Sequence, residues 1–172
     1  VEDIYGLRFS ADGRRAAYID RREKALYLLN LESGKLSKVS AYQSRAWFVD
    51  PDFSTPDEGA NTELVYMVQN LSDENLLSLE WVDATETKVL RRTTLDLAIG
   101  QPSALNSGSQ NNLIAVGTQA GSIFLLEDEK GKQLASLEPG TGKIIGLVFA
   151  MDDKVLVSLD EQGSLKIWGV EP

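Results

Sequence analysis

The stretch that comes closest to a chemical signature is Pro139-Gly140-Thr141-Gly142-Lys143-Ile144, a glycine-rich turn ahead of a lysine. A phosphate-cradling loop needs a glycine five residues before its Gly-Lys pair and a hydroxyl residue after it to hold Mg²⁺. Those positions hold Leu137 and Ile144, and the segment joins two strand-like runs rather than opening a helix. It reads as a connecting loop, and nucleotide binding is rejected. Asp50, Asp52, Asp57 and Glu58 could offer hard oxygen ligands to Ca²⁺, but their spacing lacks the central glycine and terminal glutamate of a dedicated calcium loop. A solvated insertion is the expectation there. Asp152-Asp153 falls on a turn, where aspartate suits the local geometry without any acid–base role.

The chain has no histidine and no cysteine. The commonest general base, the commonest metal ligand, a thiolate nucleophile and a disulfide framework are thereby all excluded. We expect no catalytic residues, no metal and no cofactor, and therefore no enzyme. The positive candidates are of another kind. Arg21, Arg22, Tyr42, Arg45 and Trp47 lie on or beside predicted loops, and arginine and aromatic residues are the commonest anchors of protein interfaces.

The elements that position them follow from a repeat. Residues 113–126 match residues 155–168 without a gap, 42 positions on, from Leu113-Ile114-Ala115-Val116 against Val155-Leu156-Val157-Ser158 to Gly121-Ser122-Ile123-Phe124-Leu125-Leu126 against Gly163-Ser164-Leu165-Lys166-Ile167-Trp168. Each copy alternates short apolar runs with turn residues, which predicts strands, and a strand-rich repeat of this length points to a β-propeller. In the last copy the strands are 143–149, 155–159 and 164–168, with Gly163 closing a tight hairpin. The preceding copy runs 103–107, 113–118, 122–127 and 133–137. A third copy opens the chain, where Gly6-Leu7-Arg8-Phe9-Ser10 matches Gly146-Leu147-Val148-Phe149-Ala150 and Leu26-Tyr27-Leu28-Leu29-Asn30 falls on Ile123-Phe124-Leu125-Leu126-Glu127. A divergent fourth copy gives strands at 45–50, 63–69, 75–82 and 88–94, its first turn swollen into residues 51–61.

The expected fold is therefore all-β, a β-propeller-type array of about four four-stranded antiparallel blades at 1–41, 42–99, 100–139 and 140–172, the last lacking its outer strand. At 172 residues the chain can bury roughly 70% of its unfolded surface. No apolar run approaches the ~20 residues that cross a bilayer, and the opening Val1-Glu2-Asp3 is unlike a signal peptide, so a soluble intracellular protein without membrane insertion is expected. A net charge of −9 argues against nucleic acid as partner.

The segments from Val116 to Glu127 and from Leu159 to Gly169 resemble the third-strand signature of WD-repeat propellers, a glycine, a hydroxyl residue and an apolar strand ending near Trp-Asp. The opening Phe9-Ser10-Ala11-Asp12-Gly13 looks more like a Tol-type propeller repeat. The departures are informative: the Trp-Asp position reads Trp168-Gly169, Leu126-Glu127 and Leu29-Asn30, and Ala120 and Gln162 replace the turn aspartate. Without histidine the family's side-chain hydrogen-bond network cannot form, and apolar packing and turns alone are expected to hold the blades.

The resemblance implies a scaffold that displays rim loops, and an open blade edge, to protein partners. A structural part completing a larger multi-chain propeller is the alternative, and an enzyme with a site in a propeller channel is a third. About four blades, one a strand short, against the family's usual seven leaves three completions. The chain is a piece of a longer one, it joins another copy or partner, or it closes as a four-bladed ring.

Overall fold

Short apolar runs between turn residues become fifteen β-strands, and no helix, among the residues the structure describes. The computed structural model describes residues 4–41, 46–54, 62–70, 77–95, 100–138, 140 and 142–170, leaving aside the side chains at 41, 46–48, 69 and 70. The chain divides into two compact units, Val1–Leu95 and Asp96–Pro172.

The first unit holds two antiparallel meanders. Strands β1 (Ile4–Phe9), β2 (Arg15–Asp20), β3 (Ala25–Asn30) and β4 (Leu36–Ala41) pair in chain order, as do β5 (Ala46–Ser54), β6 (Glu63–Asn70), β7 (Leu77–Asp83) and β8 (Lys88–Leu95). One face of the first sheet, here its forward face, carries Ala17, Ile19, Leu26 and Leu28. These pack on the rear face of the second sheet, which supplies Phe53, Leu64, Tyr66, Val68 and Val82. Gly6, at φ +64°, sits in the β1 bulge where β5 passes so close that a Cβ would lie 2.9 Å from Pro51 Cδ. Only glycine meets both demands. Beside it the Arg8 guanidinium reaches Asp50 at 3.0 Å.

The swollen turn expected from residue 51 begins later than its composition implied. Pro51, Asp52, Phe53 and Ser54 continue β5 past a bulge between Val49 and Asp52, and Phe53 is buried in the core. A bulge is where a strand tolerates a residue without N–H, and burial of Phe53 outweighs the turn propensity of its neighbours. Asp50 and Asp52 accordingly belong to the sheet, while Asp57 and Glu58 lie outside the described residues.

The second unit repeats the plan. Strands β9 (Pro102–Ser107), β10 (Leu113–Thr118), β11 (Ile123–Glu127) and β12 (Gln133–Leu137) form a third meander. Strands β13 (Ile144–Ala150), β14 (Val155–Asp160) and β15 (Leu165–Gly169) form a three-stranded fourth. The forward face of the third sheet, with Ala104, Ala115, Ile123 and Leu125, packs on the rear face of the fourth, with Ile144, Leu147 and Leu156. At Gly117 the sheets meet so closely that a Cβ would stand 2.5 Å from Ile144 Cγ2 and 2.6 Å from its Cβ.

Polar seams accompany this packing, which corrects the expectation of apolar contacts and turns alone. Ser103 Oγ donates to the Ile144 carbonyl at 2.7 Å, and the Phe149 N–H donates to Asn106 Oδ1 at 2.6 Å. Buried Asp153 accepts the backbone N–H of Gln110 and, at 3.1 Å, that of Asn111. Inside the fourth sheet Trp168 Nε1 donates to Ser158 Oγ at 3.0 Å. In the second sheet, buried Glu80 accepts from the Tyr66 hydroxyl at 2.6 Å and pairs with Arg92 at 2.7 Å. A buried polar group without such partners costs about 1–3 kcal/mol.

Two substitutions test the glycine packing. Gly117→Ala should destabilise the chain by about 1–3 kcal/mol, the cost of overpacking, because the obstructing atoms sit at the root of Ile144. Gly169→Ala, with open space beside it, should stay within about 0.5 kcal/mol of wild type. Urea unfolding followed by circular dichroism measures both.

Candidate functional site

The turn between β2 and β3 carries two of the five residues singled out from the sequence. Asp20 ends β2 and its Oδ1 accepts the backbone N–H of Arg22 at 2.8 Å and of Glu23 at 2.9 Å. Such an Asx turn fixes the backbone locally, so Arg21 and Arg22 stand exposed on a braced hairpin. The Arg21 guanidinium lies 4.3 Å from the centroid of the Tyr5 ring, a cation–π arrangement. Burial raises the Tyr5 pKa above its ordinary value, while the adjacent Arg21 charge opposes that shift by favouring the phenolate.

The other candidates divide. Tyr42 and Arg45 lie outside the described residues, and Trp47 is placed in β5 opposite Gln69 without a described side chain. The same turn brings in residues that the sequence did not flag. The Glu23 carboxylate accepts from the Tyr27 hydroxyl and pairs with Lys38 Nζ at 3.2 Å, and Tyr27 stacks on Tyr18 at 5.4 Å between centroids. Hydrogen bonds from Tyr27 and Lys38 hold the Glu23 pKa below its ordinary value. Register links Tyr18, Tyr27 and Lys38 across three strands, a signal available only once the pairing is known.

A second surface is apolar. On the forward face of the fourth sheet, Leu165 is 61% and Ile167 68% exposed, whereas the residues 42 positions earlier, Ile123 and Leu125, are 0% and 8% exposed under that sheet. Val148 and Leu159 extend the face across β13 and β14. On the rear face of the first sheet Leu7 is 52% and Phe9 60% exposed, although the repeat equivalent of Leu7, Leu147, is 8% exposed against the third sheet and that of Phe9, Phe149, is partly buried there. Ile4 and Leu36 lie on that same open face. Contiguous apolar area of several hundred Å² marks an interaction surface.

The first unit also has a cleft of about 60 Å³ lined by Arg15, Asn30, Lys35, Ser37, Thr85 and Thr87 among others. It is far below the ~300 Å³ at which pockets take drug-sized ligands. Arg15 spans it to Thr85 Oγ1 at 3.0 Å, so the cleft is a seam between the β7–β8 turn and the first sheet. Of the acidic residues weighed as calcium ligands, Asp50 engages Arg8 and Asp52 accepts the Phe53 N–H at 3.0 Å. The paired aspartates on the β13–β14 turn act structurally: Asp152 and Asp153 hold φ of +54° and +60°, and Asp153 bridges to the third sheet.

No protein-family model and no curated protein sequence matches the chain. Solved structures do. A WD40-type propeller chain in the crystal structure of the mitotic checkpoint complex superposes with a TM-score of 0.73 at 19% identity, over 95% of this chain and 46% of that one. The computationally designed Ika8 protein gives 0.63 at 16% identity, over 97% of this chain and 46% of its own. The designed Ika4 protein gives 0.62 at 16%, over 98% and 91%. The chain thus spans about half the length of the first two. Its fold is an all-β propeller, each sheet a blade.

The Arg21–Tyr5 contact has a sign that can be measured. Arg21→Met keeps much of the cover over the ring but removes the charge that lowers the Tyr5 pKa, so Tyr5 should titrate at still higher pH. A ¹³C NMR titration of labelled tyrosine reads the shift, and a fall on substitution would contradict the assignment.

Proposed function

We propose that the protein is a non-catalytic protein-interaction scaffold of WD-repeat type that docks a partner on the rim of its first blade. The observation that carries this reading is the braced β2–β3 hairpin, on which Asp20 holds Arg21 and Arg22 exposed with Arg21 over Tyr5. Preorganised side chains lose less entropy on binding, and arginine beside aromatic rings is the composition of interface hot spots. The charge pattern points the same way. Residues 1–41 carry eight basic and six acidic side chains in a chain whose net charge is −9. This local excess suits an acidic protein segment and would speed its encounter by electrostatic steering. One of the similar chains belongs to the mitotic checkpoint complex, which supports a protein partner as the class of ligand.

A second reading, a structural part of a larger multi-chain propeller, is favoured by the two open apolar faces described above. It involves different residues and is compatible with rim docking.

Rim docking is tested by capture from native extract with immobilised chain, followed by mass spectrometry and titration of the captured protein. Arg21→Glu/Arg22→Glu should weaken that binding at least tenfold, and Tyr42→Ala/Arg45→Ala should weaken it too. Unchanged affinity in the double arginine variant would remove the rim from the proposal. Added salt should lower the wild-type on-rate, as expected of charge steering.

A further inference from the structure

We infer that the forward face of the fourth blade is the docking site for the rear face of the first blade of a second copy of this chain. The inference deepens the structural reading above and stands apart from rim docking. Its basis is a packing rule seen twice. In the first unit, forward-face residues Ala17, Ile19, Leu26 and Leu28 cover the rear face of the next sheet. In the second unit, forward-face residues Ala115, Ile123 and Leu125 do the same to Ile144, Leu147 and Leu156. Every such contact joins a forward face to a rear face.

Among the described residues, the open apolar faces of the first and fourth sheets are one of each kind. Leu165 and Ile167 occupy the forward positions that Ile123 and Leu125 fill in the third blade. Leu7 occupies the rear position that Leu147 fills in the fourth, and Phe9 and Leu36 lie beside it. A forward face is therefore exposed without a rear face, and a rear face without a forward face. A second copy supplies the missing member of each pair with the same residue types that make the contact inside each unit.

Chemistry agrees with register. The open forward face presents Val148, Val157, Leu159, Leu165 and Ile167 with no charged residue among its paired positions. The open rear face has Asp20 and Lys38 toward its ends and apolar or aromatic residues between them. The contact is heterologous, different patches meeting in the two copies, and two such contacts complete a pair.

The test is the mass of the full chain in solution by analytical ultracentrifugation and light scattering across a concentration series. A dimer is expected, and Ile167→Asp and Phe9→Asp should each weaken it at least tenfold. Because the contact is heterologous, mixing the two variants should restore a heterodimer through the one intact forward–rear pair. Both positions are exposed, so far-UV circular dichroism should match wild type, and melting should match that of wild type diluted to its monomer. If either variant misfolds, Leu165→Asp and Leu7→Asp replace them. A monomer at all concentrations, a higher oligomer, a dimer indifferent to both substitutions, or a mixture that fails to pair would each overturn the inference. The Arg21→Glu/Arg22→Glu variant should keep the wild-type mass, so failure of rim docking and failure of self-association are told apart.

Discussion

A sheet with two apolar faces cannot stand alone in water, and each feature of this chain follows from how it meets that demand. Leu26 and Leu28 in the first blade, and Ile123 and Leu125 in the third, are buried because another sheet lies over them. Fully burying each such side chain contributes about 1.5–3 kcal/mol. Sheets this closely packed leave no room for error at the contact. Gly117 against Ile144 and Gly6 against Pro51 are where the backbone approaches too near for any side chain.

Several polar contacts between neighbouring sheets share a spacing, although Arg15 and Thr85 are 70 residues apart. Arg8 with Asp50 and Asn111 with Asp153 are each 42 residues apart, and Asn106 with Phe149 is 43 apart. These separations are one repeat length. Stacking places corresponding turns and strands of successive blades side by side, so polar residues at matching repeat positions meet without any long-range design. The result is a set of polar contacts made without histidine, to which the Trp168–Ser158 bond adds one inside the fourth sheet. It also satisfies buried carboxylates and backbone amides that would otherwise oppose the packing.

The same demand explains why the candidate surfaces differ in character. The β2–β3 hairpin lies at the end of a sheet, needs no neighbour, and is braced by its own Asp20. It can therefore carry charge at little cost and present it in a fixed form. The open faces of the first and fourth blades belong to the stacking direction instead. Their exposed leucine, isoleucine and phenylalanine side chains retain the composition of a buried seam.

Much of this architecture was legible in the sequence. The 42-residue echo and the two-residue alternation located the strands, and Gly163 marked a hairpin that φ of +82° requires. The exclusion of histidine and cysteine chemistry was equally direct. Other features were not legible, because they depend on what lies across a seam. Phe53 falls within the stretch 51–61 that reads as a swollen turn, yet its burial extends β5. Glu80 could be seen as a charge but not as a buried acceptor between Tyr66 and Arg92. Arg21 and Arg22 were readable as loop arginines, whereas the Tyr5 ring beneath Arg21 and the brace from Asp20 came only with the fold. Local pattern sets which residues point to the same face of a strand, since that needs only the backbone period. Whether a face is covered or open depends on the neighbouring sheet, and only the tertiary structure decided that Leu125 is buried while its repeat partner Ile167 is exposed.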